Sequence, residues 1–171
     1  MSYLCKRFNG YDMKKSVSVK TIEQNDNVIL YSICFDGDKL SEYEKFLANF
    51  KDKAHLNRDF QTILLAMAKI IEHGASERFF RNEGRINDNL CALSLDSRKL
   101  RLYCLRISDQ ILIVGNGGEK TTRTYQEDSL LSGYVMDLQK FDELLRQAQL
   151  SGKISIENNV ITGIDTATFE L

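Results

Sequence analysis

Stretches in which apolar and polar residues alternate, and longer ones in which apolar residues return every three or four positions, divide this chain into recognisable elements. Residues 16 to 22 (SVSVKTI) and 28 to 35 (VILYSICF) are short, β-branched or aromatic, and alternating, with Gln24, Asn25, Asp26 and Asn27 between them. That combination predicts a β-hairpin. Ser41 followed three residues later by Glu44 is a capping box, and it opens a helix whose Tyr43, Phe46, Leu47 and Phe50 form one apolar stripe. A second helix is predicted from about Asn57 to His73. Phe60, Ile63, Leu64, Met67, Ile70 and Ile71 face inward along it, and Gly74 stands in the place of a C-terminal cap.

After the charged connector ASERFFRNEGR the pattern returns to strands, at about 89 to 95 (NLCALSL), 99 to 107 (KLRLYCLRI) and 110 to 115 (QILIVG). The intervening turns, Asp96 to Arg98 and Ser108 to Asp109, are short enough to impose a three-stranded antiparallel meander. From 129 to 150, Leu131, Tyr134, Leu138, Phe141, Leu145 and Ala148 recur at helical spacing ahead of Gly152. The segment KISIENNVITGI then reads as a weak hairpin around Asn158 and Asn159. The expected layout is α+β, an antiparallel sheet with two packed helices on one face and the other face left free for polar side chains to converge. In the connector, Phe79 and Phe80 are expected to plug the end of the core while Arg78, Arg81 and Arg85 face water. The last helix is expected to pad the core through Leu138, Phe141 and Leu145.

The chain has 171 residues, 43% hydrophobic and 27% charged, with no proline and no tryptophan. These values suit one compact domain and exclude wholesale disorder. No apolar run approaches the roughly 20 residues needed to cross a bilayer, and MSYLCKRFNGYD lacks the apolar core of a signal peptide, so a cytoplasmic location is expected. Cys5, Cys34, Cys91 and Cys104 form no C-x-x-C pair and read as reduced thiols rather than a disulfide framework or a zinc site. His55 and His73 read as surface residues at helix ends. The net charge of −1 is unevenly spread: residues 77 to 125 carry nine Lys and Arg against six Asp and Glu, and residues 126 to 171 carry three against eight. A mildly basic middle is therefore hidden in the sum, and nucleic acid stays open as a partner.

The candidate chemistry lies in RLYCLRISDQILIVGNGGEKTTRTYQED, residues 101 to 128. Alternation along the second meander strand puts Lys99, Arg101, Tyr103 and Leu105 on one face and Leu100, Leu102 and Cys104 on the other. Hairpin pairing with the next strand brings the segment from Gly117 to Tyr125 near Arg101, so that Arg101, Lys120, Arg123 and Tyr125 surround one phosphate. Lys99 and Tyr103, with Arg78 and Arg81 of the connector, are the further candidates for contacting a nucleic-acid strand. RNA carries its own nucleophile in the 2′-hydroxyl. Its cleavage needs a base, an acid and cations for the oxyanion, and calls for neither metal nor cofactor. GNGGEKT is not a nucleotide-binding P-loop, which requires four residues between its glycines. Those glycines are expected to form a tight left-handed turn at the end of the hairpin.

Two helices, a connector with Phe, Arg and Gly, a strand, then L-R-L-Y-C-L-R, I-L-I-V-G and K-T-x-R-T resemble the RelE/ParE superfamily of bacterial type II toxins, its HigB-like branch included. The resemblance covers roughly residues 28 to 130. It leaves an N-terminal extension, 1 to 27, and a C-terminal one, 131 to 171, on a single domain. It implies a toxin that cleaves mRNA, often on the ribosome, and that is neutralised by an antitoxin of helix-turn-helix DNA-binding type. It also implies no membrane partner and leaves a homo-oligomer open. Arg101 stands where the family has its strand arginine, Lys120 matches the lysine after the last strand, Arg123 the following basic position, and Tyr125 a tyrosine that some members carry. Where close relatives have a lysine pair, this chain has Glu119 before Lys120, and its overall charge is acidic. The alternatives are a ParE-like toxin that inhibits DNA gyrase without cutting RNA and a catalytically inactive interaction relative, since one fold serves all of these.

Overall fold

The computed structural model describes residues 14–93, 99–121 and 128–171. The first hairpin consists of strands β1 (Ser16–Gln24) and β2 (Ile29–Phe35). Its turn is closed by the Asn25 carbonyl side chain, which accepts from the backbone N–H of Asn27 and Val28. Helix α1 (Glu42–Phe50) starts with the expected reciprocal box, Ser41 Oγ accepting from Glu44 N and Glu44 Oε2 from Ser41 N. Helix α2 (Asn57–His73) ends where Gly74 takes a φ of 98° that a side chain would strain. Then come β3 (Phe80–Asn82), β4 (Leu90–Leu93), β5 (Leu100–Ser108), β6 (Ile111–Glu119), helix α3 (Ser129–Leu150), the small hairpin β7 (Ser155–Ile156) and β8 (Ile161–Thr162), and β9 (Phe169–Glu170). The turn Asp96 to Arg98 and Cys5 lie outside the described residues. Among the described residues, no helix is long and apolar enough to cross a membrane.

The fold is α+β, with a mostly antiparallel seven-stranded sheet in the order β3-β4-β5-β6-β2-β1-β9. Among the described residues its one parallel pairing joins β2 to β6 in a register from Ile29–Ile111 to Ser32–Val114. The meander has one strand more than expected, because Phe80, Arg81 and Asn82 of the charged connector pair with β4 and form the sheet's edge. Within the connector Phe79 is buried and Phe80 partly buried against the core, while Arg78, Arg81 and Arg85 are exposed, as expected.

The larger departure concerns the sheet's second face. Helices α1 and α2 cover one face through Phe46, Phe50, Phe60, Ile63, Met67 and Ile70, packed on Leu30, Leu102, Leu112 and Val114. The opposite face is not free. Leu131, Val135, Leu138, Phe141 and Leu145 of α3, together with Ile154, Ile161 and Phe169 of the C-terminal segment, bury Tyr31, Tyr103, Leu105, Ile111 and Ile113. The tyrosine hydroxyl of Tyr31 accepts from Ile161 N at 3.2 Å and ties the last hairpin to the sheet. The reason is written in β6, where Ile111, Leu112, Ile113 and Val114 are apolar at consecutive positions, the mark of a strand buried on both sides.

The glycines of GNGG are likewise strand residues, not a left-handed turn: β6 runs through them, and none has a positive φ. They are required by close approach. In the β5–β6 register Leu102 faces Gly117 and Cys104 faces Val114, so Gly115 and Asn116 together oppose Tyr103 in a β-bulge. A Cβ on Gly115 would stand 2.7 Å from Leu138 of α3, and one on Gly117 would stand 1.8 Å from the Arg101 carbonyl oxygen. Backbone cannot yield as a side-chain tip can. Gly117→Ala is therefore expected to cost about 2 kcal/mol or more in urea unfolding. Gly133→Ala, in α3 where an added Cβ meets nothing within 4 Å, is expected to gain about 0.5–1 kcal/mol.

Candidate functional site

The predicted site residues are drawn to different parts of the molecule, and one corner gathers the largest group. There β5 begins and β6 ends. Asp59, in the first turn of α2, accepts with Oδ2 from the backbone N–H of Lys99 at 2.7 Å and of Leu100 at 3.1 Å, which fixes the start of β5. Arg101 pairs with Gly118 and Leu100 with Glu119, and beyond the last strand pair Lys120 N donates to Lys99 O at 2.6 Å. Lys99, Arg101 and Lys120 thus share one end of two adjacent strands. Arg101 and Lys120 are half-buried and Lys99 is exposed. Arg101 Nη1 also donates to its neighbour's carbonyl, Leu100 O, at 3.4 Å.

Helix α3 starts at the same corner. Asp128 caps it by accepting from Leu130 N and Leu131 N, and Leu131 lies against Gly118, where an added Cβ would come within 3.1 Å of it. The backbone on both sides of residues 122–127 is therefore fixed beside Arg101. Arg123 and Tyr125 themselves lie outside the described residues.

The other candidates do not join this group. Tyr103, expected on a free surface, is 1% exposed beneath α3 and serves as core. The alternation that put it beside Arg101 is right, but the apolar stripe of α3 covers that face. Arg81 stands on the edge strand β3, paired with Ala92, which in turn pairs with Tyr103. That is two strand spacings, or about 10 Å, from β5. Its guanidinium holds Glu83 Oε1 at 2.5 Å. Arg78 lies over the Phe79 ring at 4.9 Å. Arg81 is thus ion-paired on the edge strand and Arg78 stacked on Phe79.

A contact missed in the sequence completes the corner. His55, exposed in the short turn before α2 as expected, has Nε2 3.3 Å from Glu119 Oε2. Glu119 is the residue that interrupts the expected lysine pair. Sixty-four positions separate the two, and only the register beyond the bulge turns Glu119 toward the α1–α2 side.

Two further polar features stand out among the described residues. At the carboxyl ends of β2 and β6, Glu42 is 5% exposed yet fully engaged: Lys45 Nζ donates to Oε1 at 2.6 Å and Asn116 Nδ2 to Oε2 at 3.0 Å. The cavity it shares with Asn116, Tyr134 and Asp137 is only about 10 Å³, too small for a substrate. Burial pushes the Asp137 carboxyl above its ordinary value against the opposing pull of Lys15, 3.8 Å away, and Glu42 adds to the rise. A wider cleft of about 940 Å³ lies between residues 85–88 and α3, at the opposite end of β5 from Arg101. Across it Gln139 donates to Asp88, and Arg146 pairs with Glu143. The thiols of Cys91 and Cys104 are buried, with burial lifting Cys91 to about 12, so neither is a nucleophile at neutral pH.

The folded carboxyl of Asp137 titrates above the unfolded one, so the native state holds a proton that the unfolded chain has released. Stability contributed by this group is present below about pH 4 and lost as pH rises through the folded value. Asp137→Asn is expected to raise the melting temperature at pH 7, with the gain vanishing at pH 3.5; a gain that persists at low pH would assign it to packing instead. No family model, curated protein or solved structure matches the chain.

Proposed function

We propose that this chain is a RelE/ParE-like toxin, and that it contacts and cleaves RNA at the corner where β5 begins and β6 ends. The observation that carries the reading is the Lys120 N to Lys99 O bond with the Arg101–Gly118 pairing, which gathers three of the cations expected at a phosphate site. The order of elements from β2 to the end of β6 supports it too, being a strand, a helix pair and an antiparallel meander on which that pair packs.

The chemistry follows from charge and geometry. Attack of a ribose 2′-oxygen on the adjacent phosphorus builds negative charge on the non-bridging oxygens. Arg101 offers a planar fork to those oxygens and Lys120 a compact cation beside it. Lys99, more exposed, holds a neighbouring phosphate. In this chain Tyr103 supports the strand from within and takes no part in the reaction. Charge at one corner is enough for local binding even though the chain as a whole is slightly acidic.

Tightly controlled induction of the wild-type chain is expected to arrest bacterial growth and create new mRNA 5′ ends, and the triple variant Arg101→Ala, Lys120→Ala, Arg123→Ala to do neither while remaining folded. Arrest without new ends would transfer the reading to a gyrase-type target, and growth without arrest to an inactive relative. For a single-stranded RNA probe held by three cations, the slope of log affinity against log salt is expected near about −2, falling by about 0.7 for each cation removed.

A further inference from the structure

The loop between β3 and β4 is fastened to itself and to α3 at several points. The Asp88 carboxylate accepts from Arg85 N at 2.9 Å, from Leu90 N at 3.2 Å and from Gln139 Nε2 of α3 at 3.2 Å. Asn89 donates through its backbone and side-chain nitrogens to Asp142, at 3.1 and 2.9 Å, and Arg146 Nη2 donates to Asn87 O at 2.9 Å. On this fastened loop Ile86 stands 95% exposed. A single apolar residue in water is ordinary on a protein surface. The setting of this one is not, because it lines the cleft of about 940 Å³ together with Met136 of α3, itself 54% exposed. A fixed apolar knob thus stands beside a partly apolar hollow.

We propose that this surface is an interface between two copies of the chain, related by a two-fold axis, in which Ile86 of each copy enters the cleft of the other against Met136. A knob next to a hollow is self-complementary under two-fold symmetry, since each copy offers what the other lacks. The charges favour the same occupant. The cleft carries Arg85, Lys140 and Arg146 against Asp88, Asp142 and Glu143. A surface so balanced gives a strongly acidic or basic partner little to be steered by, and it meets its own copy without net repulsion. Lys140 and Glu143 are both exposed and stand three residues apart on α3, hence on one side of it. Antiparallel approach of two α3 helices about an axis between these positions sets Lys140 of each copy beside Glu143 of the other. Because the loop is already fastened, little further order is lost when Ile86 and Met136 leave water. The cleft lies at the opposite end of β5 from Arg101, so the dimer leaves the charged corner open in both copies and does not depend on what that corner does.

Sedimentation velocity of the full chain over a wide range of concentration is expected to show a reversible equilibrium between monomer and dimer. Ile86→Asp is expected to weaken the dimer about 30-fold or more. The melting temperature of the dilute monomer should stay unchanged, because a side chain 95% exposed supports no core. Ile86→Val is expected to stay close to the wild type. Lys140→Glu and Glu143→Lys each set like charges across the axis, and each alone is expected to weaken the dimer about 5-fold. Mixing these two variants is expected to restore association, since both contacts across the axis then join opposite charges. A merely destabilised chain would gain nothing from mixing. A chain that stays monomeric at every concentration would overturn the proposal, as would a dimer indifferent to Ile86→Asp. Weakened variants that mixing fails to restore would overturn the two-fold arrangement. Growth arrest and mRNA cleavage are scored separately, and their absence from the wild-type chain would remove the ribonuclease reading while leaving the dimer in place.

Discussion

The parallel pairing of β2 with β6 holds together two halves that would otherwise be separate. On one side stands the hairpin β1–β2 with β9 at its edge, and on the other the antiparallel run β3–β4–β5–β6. Four residue pairs make the joint, Ile29–Ile111, Leu30–Leu112, Tyr31–Ile113 and Ser32–Val114, and Ser32 reinforces it by donating its hydroxyl to Val114 O at 2.7 Å. The same hydroxyl accepts from Tyr43 N, which seats α1 over the joint. A parallel pair needs a long crossover. Here the chain between the two strands supplies both helices of one layer and strands β3, β4 and β5, and α3 and the C-terminal segment close the other layer. Burial on both faces follows: each side chain here belongs to one of two packed layers, and removing a large one leaves a gap in that layer.

The candidate site is a consequence of how β6 leaves that joint. Up to Val114 its residues alternate regularly between the layers. The two-against-one bulge at Gly115 and Asn116 shifts the facing of everything beyond. Asn116 reaches the buried Glu42, Gly118 accepts Leu131 of α3, and Glu119 turns to His55. Glycine at 117 lets β5 and β6 stay in contact past the bulge, so that Arg101 and Lys120 remain on neighbouring backbones. An irregularity in one strand thereby determines which charges meet at the end of the sheet.

Much of this was legible in the residues, and the failures have identifiable causes. Helix boundaries were clear because caps and stripes agree: Ser41 with Glu44, Gly74 after His73, and the 129–150 stripe, which the structure reproduces as Ser129–Leu150. The edge strand β3 was not legible, since three residues reading FRN show no alternation and owe their extended state to pairing with β4. Local preference favours a turn at the glycines of β6, whereas close packing against α3 and β5 decides. Tyr103 illustrates a different limit. Its parity with Arg101 was correct, but parity does not say whether a face is covered. The clue was present twice, in the uninterrupted ILIV of β6 and in an apolar stripe on α3 that had to lie on something. The contact of His55 with Glu119 depends on register across a bulge, which no local pattern encodes.

The distance in sequence between β2 and β6 also shapes the order in which the molecule comes into being. Ser32 and Val114 are 82 positions apart, so the inner edge of β2 stays without its partner while the helices and the three preceding strands emerge. At the usual pace of synthesis, about 5–20 residues per second, that wait lasts about 4 to 16 s. Contacts of such high order are slow to form even in a finished chain, because closure entropy is spent before the pairing rewards it. The corner bearing Arg101, Lys120 and His55 lies downstream of that step, since it needs the end of β6 and gains its cover only with α3. A nascent chain on the ribosome therefore passes most of its growth without the charged corner assembled, and any action of that corner begins only after the whole sheet has closed.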